Sequence, residues 1–270
     1  MKLAACVVVY NKNCKDSTTC QCLSNLQDQV QVIICDNSTS DFHNKKYCED
    51  CNWIYLGGAG NVGLSKAYNQ CINYLSSIEF DGYLCLFYDD TQITGEYFEY
   101  LQQAITQNPA DVYVPLIYSA EKLLSPCRVD QNFQVKRFSS DREALNYNGN
   151  DTSAINSCMA IKFNILKTYR YDENIFLDGI DHKFIKDMHA MGKKLCVFPY
   201  TCVQQFSSEL LPPKQSALNR FQIYVKDTRY IFKNSPNVFY KLVFRRASKL
   251  AFPYKTVSFF VKIISVARNK

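Results

Sequence analysis

The chain has 270 residues, of which 47% are hydrophobic, 21% charged and 14% aromatic, a composition that supports a sizeable core and excludes a disordered chain. That length suits one large domain, or one domain with a helical appendix. Formal net charge is +6, and from Lys233 to Lys270 the sequence carries lysine and arginine but no acid, which suits anionic lipid, nucleic acid or a solvated helix face.

Leu3–Tyr10 opens the chain as a buried strand. The run is too short to cross a bilayer, which takes about 20 residues, and it lacks the small-residue cleavage pattern of an export signal. No export is expected. Gln31–Cys35, Trp53–Tyr55, Tyr83–Phe87 and Val112–Pro115 read as further strands, rich in Val, Ile and aromatics. Between them, Thr18–Gln27, Leu64–Ser76 and Gly95–Thr106 carry helical spacing, with Leu64, Ala67, Cys71 and Leu75 on one stripe. Alternating strands and helices imply crossover connections and a mainly parallel α/β sheet.

Beyond Pro115 a hairpin is predicted around Arg128–Phe138, then a strand over Ala154–Lys162 and a helix from Asp181 to Met191 ended by Gly192. Leu195–Phe198 reads as a strand closed by Pro199, and Pro212-Pro213 marks a boundary. The predicted domains are therefore residues 1–205 and a helical, basic region over 206–270.

In such sheets ligands gather at the carboxyl ends of the strands. This rule brings together Tyr10-Asn11, Asp36-Asn37-Ser38, the Gly57–Gly63 loop and Tyr88-Asp89-Asp90. A carboxylate at a strand end accepts from a ribose hydroxyl or base N–H, although Asp-Asn-Ser also makes an ordinary turn. The glycine loop precedes a helix, so its amides and the helix dipole suit phosphate, with Lys66 on the first turn; a plain connection reads equally well. Asp89 and Asp90 leave a buried strand side by side, which is costly unless a cation sits there. Oxygen ligands of this kind suit Mg²⁺ or Mn²⁺.

Asp178 and Asp181 stand three apart and share a face if helical. One of them suits a general base; equally, Asp178 suits a helix N-cap with Asp181 in the first turn. Thirteen cysteines read as reduced thiols filling core space, since no export is expected. A zinc site from Cys20, Cys22, Cys48 and Cys51 is disfavoured by the first spacing and the absence of paired histidines. His43, His182 and His189 have no ligand spacing, and no G-x-S-x-G nucleophile elbow occurs.

Taken in order, Val7–Asn11, Ile33–Ser38, Gly60–Asn69, Leu86–Thr91 and Tyr171–Asp181 resemble family 2 glycosyltransferases of the GT-A fold, particularly bacterial rhamnosyltransferases of surface polysaccharide synthesis. The resemblance covers roughly the first 200 residues and implies an inverting transfer from a dTDP- or UDP-linked sugar to a lipid-linked or growing glycan. It implies that Tyr10, Asn11, Asp36 and Asp89 hold the nucleotide, and that Asn61, Gly63, Lys66 and Asn69 lie near the donor. Asp90 would bind Mg²⁺ or Mn²⁺, Asp181 would be the base, and Asp178 would orient the acceptor. Tyr88 departs from the first acid of D-x-D. Val203-Gln204-Gln205 stands where relatives carry a metal-binding histidine, which implies weaker metal affinity.

The resemblance extends to Arg220–Asn234, an aromatic and basic helix, and places Val238–Val266 peripherally on the cytoplasmic face of an anionic membrane; its lysines and arginines are too frequent for a spanning helix. No nucleic-acid partner is expected. Two other readings compete. A sugar-phosphate nucleotidyltransferase shares the sheet and acids, but calls for a Gly-rich loop with Arg and Lys where Tyr10–Asn13 stands. A non-catalytic membrane-binding scaffold accounts for the tail and leaves both acidic clusters unexplained.

Overall fold

The computed structural model describes residues 1–119, 121–130, 134–204 and 211–268. These divide into two compact units, residues 1–171 with 181–205, and residues 172–180 with 206–270. Thus the acidic segment ending at Ile180 groups with the C-terminal helices, while Asp181 groups with the first unit.

The first unit opens with β1 (Leu3–Val9), a 3-10 turn (Cys14–Asp16), α1 (Thr18–Ser24), β2 (Gln31–Asp36), α2 (Asn44–Asp50), β3 (Ile54–Gly57), α3 (Leu64–Ser77), β4 (Tyr83–Tyr88), α4 (Gly95–Gln107) and β5 (Val112–Ser119). It continues through β6 (Lys122–Ser125), β7 (Cys127–Val129), β8 (Val135–Arg137), α5 (Asp141–Asn146), β9 (Thr152–Ser153), β10 (Met159–Lys162) and α6 (Phe163–Leu166). Finally come α7 (Ile180–Ala190), whose first residue belongs to the other unit, and β11 (Leu195–Val203). The main sheet runs β11-β5-β10-β4-β1-β2-β3, with β6 on β5. Strands β1, β2, β3 and β4 are parallel, as are β5 and β11, while β10 runs antiparallel between β4 and β5. A small antiparallel sheet, β8-β7-β9, realises the predicted hairpin.

Every residue of β1 is buried, as expected of a strand covered on both faces. Ala5, Val7 and Val9 share one core with Tyr97, Phe98 and Leu101 of α4. Across the sheet α3 buries Leu64, Ala67, Cys71 and Leu75, the predicted stripe, each leucine contributing roughly 1.5–3 kcal/mol. Beneath it the sulfurs of Cys6, Cys35 and Cys71 lie within 4.8 Å of one another, all fully buried. Among the described residues this trio, rather than Cys20, Cys22, Cys48 and Cys51, is the group close enough to share an ion. Burial raises the Cys71 thiol well above its ordinary pKa, and the Cys6–Cys35 hydrogen bond raises Cys6 while lowering Cys35; the three thiols hydrogen-bond to one another and fill the core.

Three expectations are corrected. The strand expected to stop at Pro199 continues to Val203, with a register shift between Val197 and Thr201. It lies at the sheet edge, where a missing N–H and an irregular register are tolerated. The strand expected over Ala154–Lys162 is confined to its last four residues, β10, while the short β9 just before the span belongs to the other sheet. The first helix stops at Ser24 instead of Gln27, where the Asn25 N–H bonds back to Cys22 and Leu23.

The second unit holds α8 (Lys214–Ile231), α9 (Pro236–Tyr254) and α10 (Ser258–Arg268). Pro236 in the first turn of α9 suits its missing N–H. No described helix is long and apolar enough to cross a membrane.

Candidate active site

The strand order places β1 between β2 and β4, a point from which the chain winds outward both ways. Crevices form at the carboxyl ends of strands at such points. There Lys12, just past β1, meets Asp89, just past β4, at 3.0 Å. Ser17 and Thr19 lock the same corner: the Ser17 hydroxyl donates to the Asp89 carbonyl at 2.7 Å, and the Thr91 N–H donates to the Thr19 hydroxyl at 2.9 Å.

Asn11 adopts a left-handed φ of 48°. Its N–H donates to Ser38 Oγ at 2.9 Å, and its Oδ1 accepts from the N–H of Thr39 at 2.8 Å. The ends of β1 and β2 are thereby stitched together, and Tyr10 beside them stays half exposed. Asp36 is only 8% exposed. One oxygen accepts from Ser38 N–H at 2.9 Å, the other from Asn44 Nδ2 at 2.9 Å and the Tyr55 hydroxyl at 3.2 Å. Burial, and then the Asp36 charge, push the Tyr55 phenol up to about 12, so it remains a neutral donor. Asn44 belongs to α2, a helix that sequence reasoning missed.

Between β3 and α3 the loop turns on Gly60 and Gly63, with φ of 70° and 85°, values that side chains disfavour. Gly63 is the residue before α3, at the end of the helix where the dipole favours negative charge. Asn61 Oδ1 accepts from the Gly63 N–H at 3.2 Å, and Lys66 is exposed on the first turn. Asn69 is placed differently. It is buried, and its amide both donates to and accepts from the main chain of Tyr171 at 2.9 Å, so it holds that residue in place.

Asp90 projects from the end of β4. It is exposed by surface area, yet the protein surrounding its carboxyl raises its pKa by desolvation, and the Asp89 charge adds to the rise. Gln204, following β11, donates from Nε2 to Asp90 Oδ1 at 3.0 Å. Gln204 is 4% exposed, and its Oε1 has no hydrogen-bond partner among the described residues. A buried amide oxygen without a donor beside a carboxylate fits a hard divalent cation bound through oxygen. The sequence marked Gln204 only as a departure; its proximity to Asp90, 114 residues away in the chain, is what gives it a role. Gln205 lies outside the described residues.

Asp181 occupies the first turn of α7, and its Oδ1 accepts from the His182 N–H at 2.8 Å. Asp178 belongs to the second unit. There Arg220 grips it with both terminal guanidinium nitrogens, and Arg246 approaches it at 3.3 Å. The Arg246 guanidinium also lies 4.1 Å from the centre of the Tyr224 ring. Because α7 begins only at Ile180, the arginines, rather than a capping role, account for the Asp178 carboxylate.

The family model described as glycosyl transferase family 2 matches residues 5–170. Among solved structures, GalNAc-T7 with UDP, GalNAc and Mn²⁺ aligns at TM-score 0.61 and 12% identity, over 88% of this chain and 51% of that one. The mannosyltransferase PcManGT of Pyrobaculum calidifontis, with GDP-Man and Mn²⁺, aligns at 0.55 and 12%, over 98% and 86%. S. aureus TarS aligns at 0.53 and 13%, over 85% of this chain and 40% of TarS. The chain thus spans half or less of TarS and about half of GalNAc-T7. A search among curated proteins returned no match.

Proposed function

The chain belongs to glycosyl transferase family 2, and we propose that it transfers a sugar from a dTDP- or UDP-linked donor to a hydroxyl of a lipid-linked or growing surface glycan, with inversion at the anomeric carbon. The observation that carries this reading is the Asp90–Gln204 pair at the β1/β4 crevice, a carboxylate beside an orphaned amide oxygen. Support for a nucleotide-sugar donor also comes from neighbours solved with UDP, UDP-GlcNAc and GDP-Man.

Asp90 and Gln204 would hold Mg²⁺ or Mn²⁺. A divalent cation bound there supplies charge neutralisation for the departing diphosphate. The N-terminal end of α3 and its dipole, with Lys66, would take up the remaining negative charge. Tyr10, Asn11, Asp36 and Asp89 would hold the nucleoside. Asp181 would remove the proton of the attacking hydroxyl as the anomeric carbon–diphosphate bond breaks. Asp178, held by two arginines, would order the acceptor segment. A rhamnosyl donor is the first choice, drawn from the motif resemblance.

Thermal stabilisation by UDP, dTDP, GDP and CMP, each with and without Mn²⁺, tests the reading. One uridine or thymidine nucleotide is expected to stabilise the protein in a Mn²⁺-dependent way, and Asp90→Asn is expected to remove that dependence. The pH trend follows from the raised Asp90 pKa. A carboxylate raised in the folded state destabilises the fold as pH rises through its unfolded value, about 3.9. Cation binding needs the ionised form, so the Mn²⁺-linked gain grows with pH, whereas without metal Asp90→Asn is the more stable protein above that range. A Mn²⁺ gain that persists in Asp90→Asn at full size would place the cation elsewhere.

We propose a peripheral position on an anionic membrane, at the cytoplasmic face, for residues 206–270. Between 211 and 270 the sequence holds one acid, Asp227. The helices α9 and α10 and the turn between them expose Tyr240, Phe244, Phe252, Val257, Val261 and Ile264, with Phe252 at 89%. Aromatic and aliphatic side chains beside Lys241, Arg245 and Lys249 suit an interface of acyl chains and anionic headgroups. Arg245→Glu with Lys249→Glu is expected to abolish co-sedimentation with phosphatidylglycerol vesicles; binding unchanged by this reversal would remove the membrane from the proposal.

A further inference from the structure

In the first unit a cavity of about 340 Å³ lies along α7 and β9, within the usual range for small-ligand sites. His182, Ile185, Lys186 and His189 line it from α7, positions one stripe apart on a helix. Both imidazoles are tied to the opposite wall. His182 Nδ1 lies 2.8 Å from Ser153 Oγ, and His189 Nε2 lies 2.8 Å from the Thr152 carbonyl. Asn150, Asp130 and Asp151 complete the polar lining.

The charges around this cavity balance. Asp151 is matched by Arg128 at 2.9 Å and receives the Tyr147 hydroxyl at 2.6 Å, and these contacts, Tyr147 first, hold its carboxyl below the usual range. Asp130 and Lys186 contribute one charge of each sign. Among the described residues no surplus of positive charge lines the cavity to hold a phosphate or uronate, and none of negative charge to hold an amine. What remains is a concave set of amide, hydroxyl, imidazole and carboxylate groups, which suits a ligand rich in uncharged hydroxyls. The stripe begins at His182, the residue after Asp181, whose carboxylate accepts the His182 N–H.

We propose that this cavity receives an uncharged sugar residue of the acceptor glycan, with Asn150, His182 and Lys186 setting its specificity. The proposal rests on the transferase reading, in which a hydroxyl held at the head of α7 would meet Asp181.

The sequence holds three histidines, and the third, His43, lies exposed at the start of α2. Their Hε1 resonances therefore carry two reporters on the cavity wall and one control. Methyl glycosides of neutral hexoses, a 6-deoxyhexose and N-acetylhexosamines would be titrated into the full chain at pH 7.5, to about 10 mM, tenfold above a millimolar Kd. Methyl glucuronide and inorganic phosphate form the charged arms. At least one neutral glycoside is expected to shift His182 and His189 saturably while His43 stays still, with no saturable shift from either charged probe. Lys186→Ala and Asn150→Ala are expected to weaken that response about tenfold, equivalent to 1.4 kcal/mol, while nucleotide stabilisation is retained. Silence of both wall histidines toward every neutral glycoside, or a stronger response to phosphate or glucuronide, overturns the proposal. Transfer to a glycoside that leaves both resonances fixed removes the cavity and keeps the transferase. Saturable shifts in a protein that binds no nucleotide keep the sugar site and remove the transferase.

Discussion

Replacing Asp181 by asparagine is expected to lower the rate of sugar transfer by about 10²–10⁴-fold, the usual contribution of a general base, while nucleotide binding stays at the wild-type level. Asparagine keeps the volume of the side chain and an oxygen that can accept the His182 N–H, so the start of α7 need not rearrange. What it lacks is a basic oxygen. The acceptor hydroxyl must then attack with its proton in place, and the loss falls on kcat rather than on donor affinity. Single-turnover transfer measured beside nucleotide-induced thermal stabilisation separates the two. Equal losses in both would show that Asp181 holds the donor, and the base would have to be sought elsewhere.

The largest expected effect on stability belongs to Asp227. Its carboxylate accepts three consecutive main-chain N–H groups, those of Phe176, Leu177 and Asp178, at 2.9, 2.8 and 2.8 Å. Asp227 is 2% exposed, and burial, with the Asp178 charge adding to it, leaves its pKa raised despite these three donors. Asp227→Ala leaves three donors without an acceptor. Those residues are half-buried, so water partly replaces the carboxylate, and a cost of about 1 kcal/mol each gives a loss of about 3 kcal/mol. Asp227→Asn keeps one accepting oxygen and is expected to recover roughly half of that. The midpoint of urea unfolding reads both. The raised pKa also means that ionising Asp227 costs stability as pH rises through the unfolded carboxylate value, a slope that should vanish in Asp227→Asn. A loss below about 1 kcal/mol in Asp227→Ala would mean that water serves these amides nearly as well.

Much of the sheet was legible because burial on both faces demands unbroken apolar runs, and Leu3–Val9 and Tyr83–Tyr88 have them. The stripe on α3 was legible for the same reason, since Leu64, Ala67, Cys71 and Leu75 recur at helical spacing. Helix α2 was not. Asn44–Asp50 is seven residues long, mostly polar, and follows a left-handed His43 with no side-chain cap, so neither period nor start signal is present. Pro199 misled because proline is a stop signal in a central strand but not at an edge.

In the candidate site, Asp36, Gly63, Asp90 and Asp181 could be picked out because each closes a strand or opens a helix. Asn69 carried the right residue type at the right spacing, yet its direction is set by Tyr171, 102 residues later. Gln204 and Asp227 were invisible as participants. Their partners lie 114 residues and about 50 residues away, and no local pattern encodes such a meeting.

The cysteines buried throughout the first unit make the chain its own folding reporter. Cys6, Cys35 and Cys71 sit beneath α3 with no exposed surface, while Cys22, Cys51 and Cys196 are only partly covered. A thiol-reactive dye would therefore modify the second group in the closed molecule and reach the first only when α3 lifts from the sheet. Mass spectrometry after brief dye pulses would date that opening residue by residue, with no substitution made in the protein.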